Sequence, residues 1–273
     1  MNKIACIGSG NMGFALMKGA AKNCGSAKKT KIFITDADAQ KAQQAAKQLG
    51  AKVLASNTEA AKTGNLVFLA VKPQILSQVL AEIAQAVKER QSEKIKPVLV
   101  SMAAGWSIEK IQSAIGEKVP VVRMMPNTPA LIGKGMIAVS PSKEVSKESI
   151  SQLEKILGAA GIVDIIEESF MDAVTGLSGS GPAFVYLFIE ALAAGGVNAG
   201  LAKEKALSYA VQTALGAASM VRETGKDPIE LKNMVTSPNG TTVAGIGALE
   251  KGGFRAAVIG AVEAAWKRSI ELG

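Results

Sequence analysis

Three glycines stand where a phosphate could be held. The segment Ile7-Gly8-Ser9-Gly10-Asn11-Met12-Gly13 follows a short apolar run, Lys3–Ile7, and opens a helical pattern over Asn11–Lys22. In that context each glycine has its own task. Gly8 permits a tight turn, Gly10 lets a pyrophosphate approach the backbone, and Gly13 lets helix and strand pack closely. The phosphates then rest on free N–H groups at the helix N-terminus. The spacing alone is a weak signal; the strand before it and the helix after it point to a dinucleotide, NADPH or NADH. Asp36 lies 23 residues past Gly13, at the end of a second strand pattern. An acid there can bond a ribose 2′-hydroxyl and repel a 2′-phosphate. It can equally serve as the N-cap of the following helix. Thr35, Lys41 and Lys47 could instead favour the phosphorylated dinucleotide. The chain has no histidine, which removes the commonest general acid/base, the Ser-His triad and most catalytic zinc sites.

The elements that must position these residues alternate. Strand patterns fall at Lys3–Ile7, Lys31–Ile34, Lys52–Leu54, Leu66–Val71, Val98–Val100 and Val119–Met124. Helical patterns lie between them, notably Ala37–Leu49 and Gln74–Lys88. Such alternation predicts a parallel sheet with helices on both faces, a Rossmann-type α/β domain. Gly135–Ser140 and Ile162–Ile166 can extend the sheet around a helix at Lys147–Leu157. Near Phe170 the pattern changes, and no strand is expected afterwards. Helices are predicted from Pro182 to Asn198, from Lys203 to a stop at Gly225, from Asp227-Pro228 onward, up to Gly252-Gly253, and over Phe254–Leu272. The expected division is a dinucleotide-binding domain at 1–168 and an all-α domain at 169–273. The helices of the second carry Ala and Gly on several faces, which suits burial on more than one side. A homodimer through this domain is expected, and a homo-oligomer built from such dimers.

Composition narrows the function classes. The 273-residue chain is 48% hydrophobic but only 4% aromatic, and its net charge is +8. The lysines are scattered and not interleaved with aromatics, so no nucleic-acid partner is expected. Cys6 and Cys24 form no CxxC or metal-type spacing; no metal is expected, and a reduced cytoplasmic compartment fits. No signal peptide is read at the N-terminus. The longest apolar stretch, Ala183–Val197, holds Glu190 and is shorter than the ~20 residues a membrane span needs, so no membrane association is expected.

Four further motifs are informative together: Phe68-Leu-Ala-Val-Lys-Pro-Gln74, Met125-Pro-Asn-Thr-Pro129, Leu177-Ser-Gly-Ser-Gly-Pro-Ala183 and Ser237-Pro-Asn-Gly-Thr-Thr-Val-Ala-Gly245. With the glycine turn, and in this order, they resemble pyrroline-5-carboxylate reductases nearly end to end. Asn239 departs from the family, which usually has a second glycine there; Asn tolerates positive φ best among side-chain-bearing residues. The resemblance implies hydride transfer from NAD(P)H to the C=N bond of 1-pyrroline-5-carboxylate, giving L-proline. That chemistry suits a chain without histidine, because an iminium accepts hydride without a strong acid and the protein mainly places the reactants.

By the same resemblance, Asn57 and Ala70-Val71-Lys72-Pro73 border the dinucleotide. Pro73 also reads as the first residue of a helix, and Lys72 alternatively as a surface charge. Substrate-binding roles fall to Ser180, Ser237, Gly240, Thr241 and Thr242. Thr242 is the candidate catalytic residue: it orients the ring nitrogen and can relay a proton, with a bridging water as the rival donor. Thr241 and Thr242 can instead simply cap the helix expected over Val243–Lys251. Ser178 and Ser180 are expected to face the nicotinamide, or to form a hinge. Asn127 either touches a ligand or locks its turn. A β-hydroxyacid dehydrogenase is the enzyme rival, but Pro182–Asn198 holds no lysine to serve as its base. A non-catalytic nucleotide sensor is the rival outside enzymes.

Overall fold

A computed structural model describes residues 2–24 and 30–273. Strand and helix alternate from the start: β1 (Asn2–Ile7), α1 (Asn11–Cys24), β2 (Thr30–Thr35), α2 (Ala39–Leu49), β3 (Lys52–Val53), α3 (Asn57–Thr63), β4 (Leu66–Leu69), α4 (Pro73–Glu89), β5 (Val98–Ser101), α5 (Ile108–Ile115) and β6 (Val121–Met125). Then come β7 (Gly135–Pro141), α6 (Lys147–Leu157), β8 (Gly161–Ile165), the short α7 (Met171–Val174) and a π-helical turn, Thr175–Gly179.

The eight strands make one sheet in the order β3-β2-β1-β4-β5-β6-β7-β8. Neighbouring residues of β1 serve opposite faces. Ile4 and Cys6 pack with Leu16 and Met17 of α1, while Ala5 and Ile7 pack with Leu76 and Leu80 of α4. A sheet covered on both faces needs apolar residues at every position, which is why the strands read as unbroken apolar runs rather than alternating ones. All strand pairs are parallel except β6–β7, which is antiparallel. The antiparallel pair falls where Gly135–Ser140 extends the sheet beyond the parallel strands read from the alternation. Only residues 126–134 join the two strands, too few for the crossover of a dozen or more residues that a parallel pair needs.

Two compact units are present, Met1–Gly179 with Ala265–Gly273, and Ser180–Ala264. The division at 168/169 expected from the change of pattern does not coincide with this packing. Met171 is fully buried with Met125 and Ala138. Glu168 accepts a hydrogen bond from Ile108 N at 2.7 Å, and Asp172 pairs with the buried Arg123. These contacts hold Glu168–Gly179 to the sheet. Ser269 donates to Asp172 at 2.8 Å, which ties the end of the chain to the same unit.

The second unit holds α8 (Gly181–Asn198), α9 (Lys203–Thr224), α10 (Pro228–Met234), α11 (Thr241–Lys251) and most of α12 (Phe254–Leu272). Its helix ends follow local chemistry. Gly225 closes α9 in the left-handed region at φ 66°, and the Asp227 side chain caps α10 by accepting from Ile229 N. Within this unit α8 and α9 pack side by side, and the Phe188 and Phe254 rings lie 5.9 Å apart. No residue of α8 is buried in the single chain; Tyr186 is 57% and Leu187 66% exposed. The continuous helical run Glu168–Asn198 is long and apolar enough, by length and composition alone, to cross a membrane. It exceeds the stretch Ala183–Val197 because the helix begins well upstream of Ala183.

Candidate active site

The glycine turn sits where β1 and β4 lie side by side. Strand order reverses direction there, and ligands of open α/β sheets bind beyond such strand ends. Hydrogen bonds from Gly8 N to Thr35 O and from Ala70 N to Ile7 O, both 2.8 Å, hang the turn between β2 and β4. Gly8 has φ 98°, and a Cβ on it would strike Ala70 O. A Cβ on Gly13 would come within 2.6 Å of Gly8 O and 2.8 Å of Ala70 Cβ. Around Gly10, by contrast, a Cβ would meet nothing within 4 Å. Two glycines therefore have structural reasons to be glycine, and the middle one faces open space. The first helical bond of α1 runs from Phe14 N to Gly10 O at 2.9 Å, so the N–H groups preceding it lie at an exposed helix start. Asn11 is exposed and Met12 is half-buried against the core. These residues fit a pyrophosphate.

Asp36 is joined to this turn. Its Oδ2 accepts from Ser9 N at 2.6 Å and from Ser9 Oγ at 2.7 Å, while Oδ1 accepts from Asp38 N at 2.9 Å. Partial burial pushes the carboxyl upward. The hydrogen bonds from Asp38 and Ser9, with the charge of Lys41, outweigh that and hold it below the ordinary carboxylate range. The N-cap alternative for Asp36 is corrected: Asp38 caps α2, accepting from Gln40 N and Lys41 N. Thr35 is buried, and Lys41 pairs with Asp38 at 3.5 Å. Beneath the turn, Cys6 Sγ donates to Gly8 O at 3.2 Å. Burial, helped by the Asp36 charge, pushes its thiol up to about 12, so it stays protonated.

Ala70 and Val71 line the turn from the β4 side, with Val71 Cγ1 3.2 Å from the position of a Gly8 Cβ. Lys72 is exposed and precedes α4, which Pro73 opens as its first residue. Pro73 O accepts from Trp106 Nε1 at 3.1 Å, a support the motif itself did not reveal. Asn57 begins α3, and its amide donates to Glu82 Oε2 at 2.7 Å. That side chain is held by α4.

In the helical unit, Ser237–Gly240 forms a turn closed by a bond from Gly240 N to Ser237 O at 3.0 Å. Asn239 takes φ 56°, the only positive φ of a non-glycine among the described residues. Asparagine's tolerance of this region preserves the turn. A Cβ on Gly240 would strike Ser237 Oγ. Helix α11 starts at Thr241, two residues earlier than Val243, with Gly240 as N-cap and no side-chain capping bond. This corrects the capping alternative for Thr241 and Thr242: both lie inside the helix, and its first N–H groups are left to an external acceptor. Thr242 is half-buried and Thr241 exposed.

Ser180 stands immediately before α8 and makes no capping bond there. The Ser178 hydroxyl donates to Val174 O at 3.2 Å and so belongs to its own turn. The sequence reading missed Arg123, which is 5% exposed and pairs with Glu168 at 3.4 Å and Asp172 at 3.3 Å. A lone arginine within an apolar strand pattern was the available signal. No group of three or more metal-ligating side chains occurs among the described residues.

Residues 168–272 match the family model for pyrroline-5-carboxylate reductase dimerisation, and residues 3–105 match that for NADP oxidoreductase, coenzyme F420-dependent. A pyrroline-5-carboxylate reductase of Synechocystis is 46% identical over 222 residues, covering 81% of this chain and 80% of that protein. The solved structure of a Coxiella burnetii pyrroline-5-carboxylate reductase is 33% identical with a TM-score of 0.89, covering 99% of this chain and 98% of that one. The Plasmodium falciparum pyrroline carboxylate reductase, solved with NADP bound, is 32% identical with a TM-score of 0.85, covering 100% and 98%. With the glycine turn at the reversal of strand order and an uncapped α11 behind the Ser237–Gly240 turn, this chain belongs to the pyrroline-5-carboxylate reductase family.

Proposed function

We propose that this chain reduces 1-pyrroline-5-carboxylate to L-proline. When bound, the reduced dinucleotide, NADPH or NADH, supplies the hydride. The open face of Gly10 carries this reading furthest, because a Cβ there meets nothing within 4 Å and leaves room for a pyrophosphate at the start of α1, while Gly8 and Gly13 are packed against Ala70. The N–H groups of Gly10 to Met12 and the α1 dipole hold the phosphates, the Ser9 N–H being taken by Asp36. Asp36, Ala70, Val71, Lys72 and Pro73 border the nucleoside portions, with Asn57 at their margin.

The uncapped start of α11 suits the substrate carboxylate, since helix N-termini bind anions through backbone N–H groups and the dipole. Ser237, Gly240 and Thr241 form that cradle, and Ser180 supplies a further hydroxyl. Thr242 bonds the ring nitrogen and fixes the face that the imine carbon presents. The proton that the ring nitrogen needs would pass through the Thr242 hydroxyl, resupplied by water, so no imidazole is required. A β-hydroxyacid dehydrogenase would need a base for an alcohol proton, and α8 contains no lysine.

The exposed apolar faces of α8 and α9 are covered by a second copy of this chain rather than by lipid; their match to a dimerisation model supports that occupant. By motif the dinucleotide-binding part is 1–168 and the substrate-binding and dimerisation part 169–273, although 169–179 packs with the sheet unit; the enzyme works in the cytoplasm, and its assembly is built from dimers.

The test is spectrophotometric. NADPH or NADH is mixed with the pyrroline acid and the loss of reduced-dinucleotide absorbance is followed. Turnover with proline as product is expected. Tight dinucleotide binding without turnover would replace the enzyme reading with a nucleotide sensor.

A further inference from the structure

We propose that Asn127 is a positioning residue whose side-chain amide clamps the π-helical turn Thr175–Gly179 to the end of β6, and so sets the backbone that leads into Ser180. The inference rests on the reductase reading above. Asn127 lies just past the C-terminal end of β6, on the same sheet edge as the glycine turn, because β1, β4, β5 and β6 run parallel as successive neighbours. It is 9% exposed. Its Oδ1 accepts from Met136 N at 2.9 Å and its Nδ2 donates to Ser178 O at 3.0 Å. Both ends of the amide are engaged by protein, so the residue acts through the turn.

The turn needs such a clamp. A π-helical turn is wider than an α-turn and rare, and it occurs mostly at functional sites. Its own hydroxyls are turned inward: Thr175 Oγ1 donates to Met171 O at 2.8 Å and Ser178 Oγ to Val174 O at 3.2 Å. Beneath it, Met125 and Met171 form an apolar pad, and a Cβ on Gly179 would rest 3.7 Å from Met125 Sδ. That pad sets the height of the turn but not its direction. The directional contact from outside the turn is the one from Nδ2 to Ser178 O. A primary amide offers donor and acceptor on one planar group, which the β7 start and the turn require together. A carboxylate would keep the bond from Met136 N but set its other oxygen against the Ser178 carbonyl.

The experiment compares wild type with Asn127→Asp and Asn127→Ser. Steady-state rates with the pyrroline acid and the preferred dinucleotide are measured beside dinucleotide Kd from its fluorescence and amide hydrogen exchange over residues 175–181. Misplacing a substrate-orienting group by about an ångström can cost up to ~100-fold in rate. The expected result is a kcat lower by about tenfold or more, Kd for the dinucleotide within about twofold of wild type, and faster exchange confined to 175–181. An unchanged kcat overturns the proposal. So does a loss of kcat that tracks a loss of dinucleotide affinity, or failure of both variants to fold, since each assigns Asn127 to another role. If wild type itself fails to turn over the pyrroline acid, the reductase reading falls, and the exchange comparison still decides whether the clamp exists.

Discussion

At the scale of the residue, two side chains carry the proposed chemistry. Thr242 lies in the first turn of α11 without capping it, so its hydroxyl is available to a ligand. Thr242→Val keeps the shape and removes one hydrogen bond, of about 1–3 kcal/mol if the partner is left unpaired. We expect kcat/KM for the pyrroline acid to fall roughly tenfold to a hundredfold, with dinucleotide Kd unchanged. Equal kinetics would take Thr242 out of the mechanism. Asp36 was legible as an acid at the end of β2, but not its partner. Two acids two residues apart, Asp36 and Asp38, are both plausible caps, and only the fold shows that Ser9 takes the first and α2 the second. In the proposed role, Asp36→Ser removes a charge that disfavours a 2′-phosphate. The ratio of kcat/KM for NADPH over NADH should rise by about tenfold or more; a constant ratio would leave Asp36 only as a tie to Ser9. The pH dependence follows from the same bonds. The folded carboxyl titrates below its ordinary value, so the stability it lends is present above about pH 4 and is lost as pH falls through the folded value. In acid-unfolding curves, wild type should lose its advantage over Asp36→Ser below that pH.

At the scale of the element, the glycine turn separates folding from binding. Gly8→Ala must fit a methyl against Ala70 O at φ 98°, a conformation that side-chain-bearing residues adopt rarely. We expect it to lower the thermal midpoint. Gly10→Ala places its methyl in open space, on the face proposed for the pyrophosphate. It should fold with an unchanged midpoint and bind dinucleotide about tenfold or more weakly. Thermal melts with and without NADPH check both, and a Gly10→Ala protein that binds normally would move the phosphates elsewhere. Elements such as this were legible because their causes are local: an apolar run, a spaced glycine set, Asp227-Pro228 opening α10, Gly225 closing α9. The parts that were not legible have distant causes. Arg123 meets Asp172 forty-nine residues on, and Asp172 meets Ser269 ninety-seven residues on. No local pattern announces such pairs, and through them Glu168–Gly179 stays with the sheet.

At the scale of the whole molecule, the helical unit leaves its apolar surface uncovered in a single chain. Val185, Tyr186, Leu187, Leu215 and Ile259 are each at least half exposed. Burying a large apolar side chain contributes about 1.5–3 kcal/mol, so leaving this many in water would strip the Ser180–Ala264 bundle of most of its driving force. Ala and Gly along the same helices let a second copy approach closely. The argument locates the weak point. A second carboxylate at Leu187, three residues before the exposed Glu190, would have to enter a face otherwise lined by apolar side chains, and burying an unpaired carboxylate beside a like charge is costly enough that association is abandoned first. We therefore expect wild type to sediment as a dimer or a multiple of it, with a melting temperature that rises with protein concentration. Leu187→Glu should sediment lighter and melt lower, while the sheet unit keeps its affinity for dinucleotide. A Leu187→Glu chain with the mass and melting behaviour of wild type would mean that this face is covered from within the chain, and that the second copy is not what completes the core.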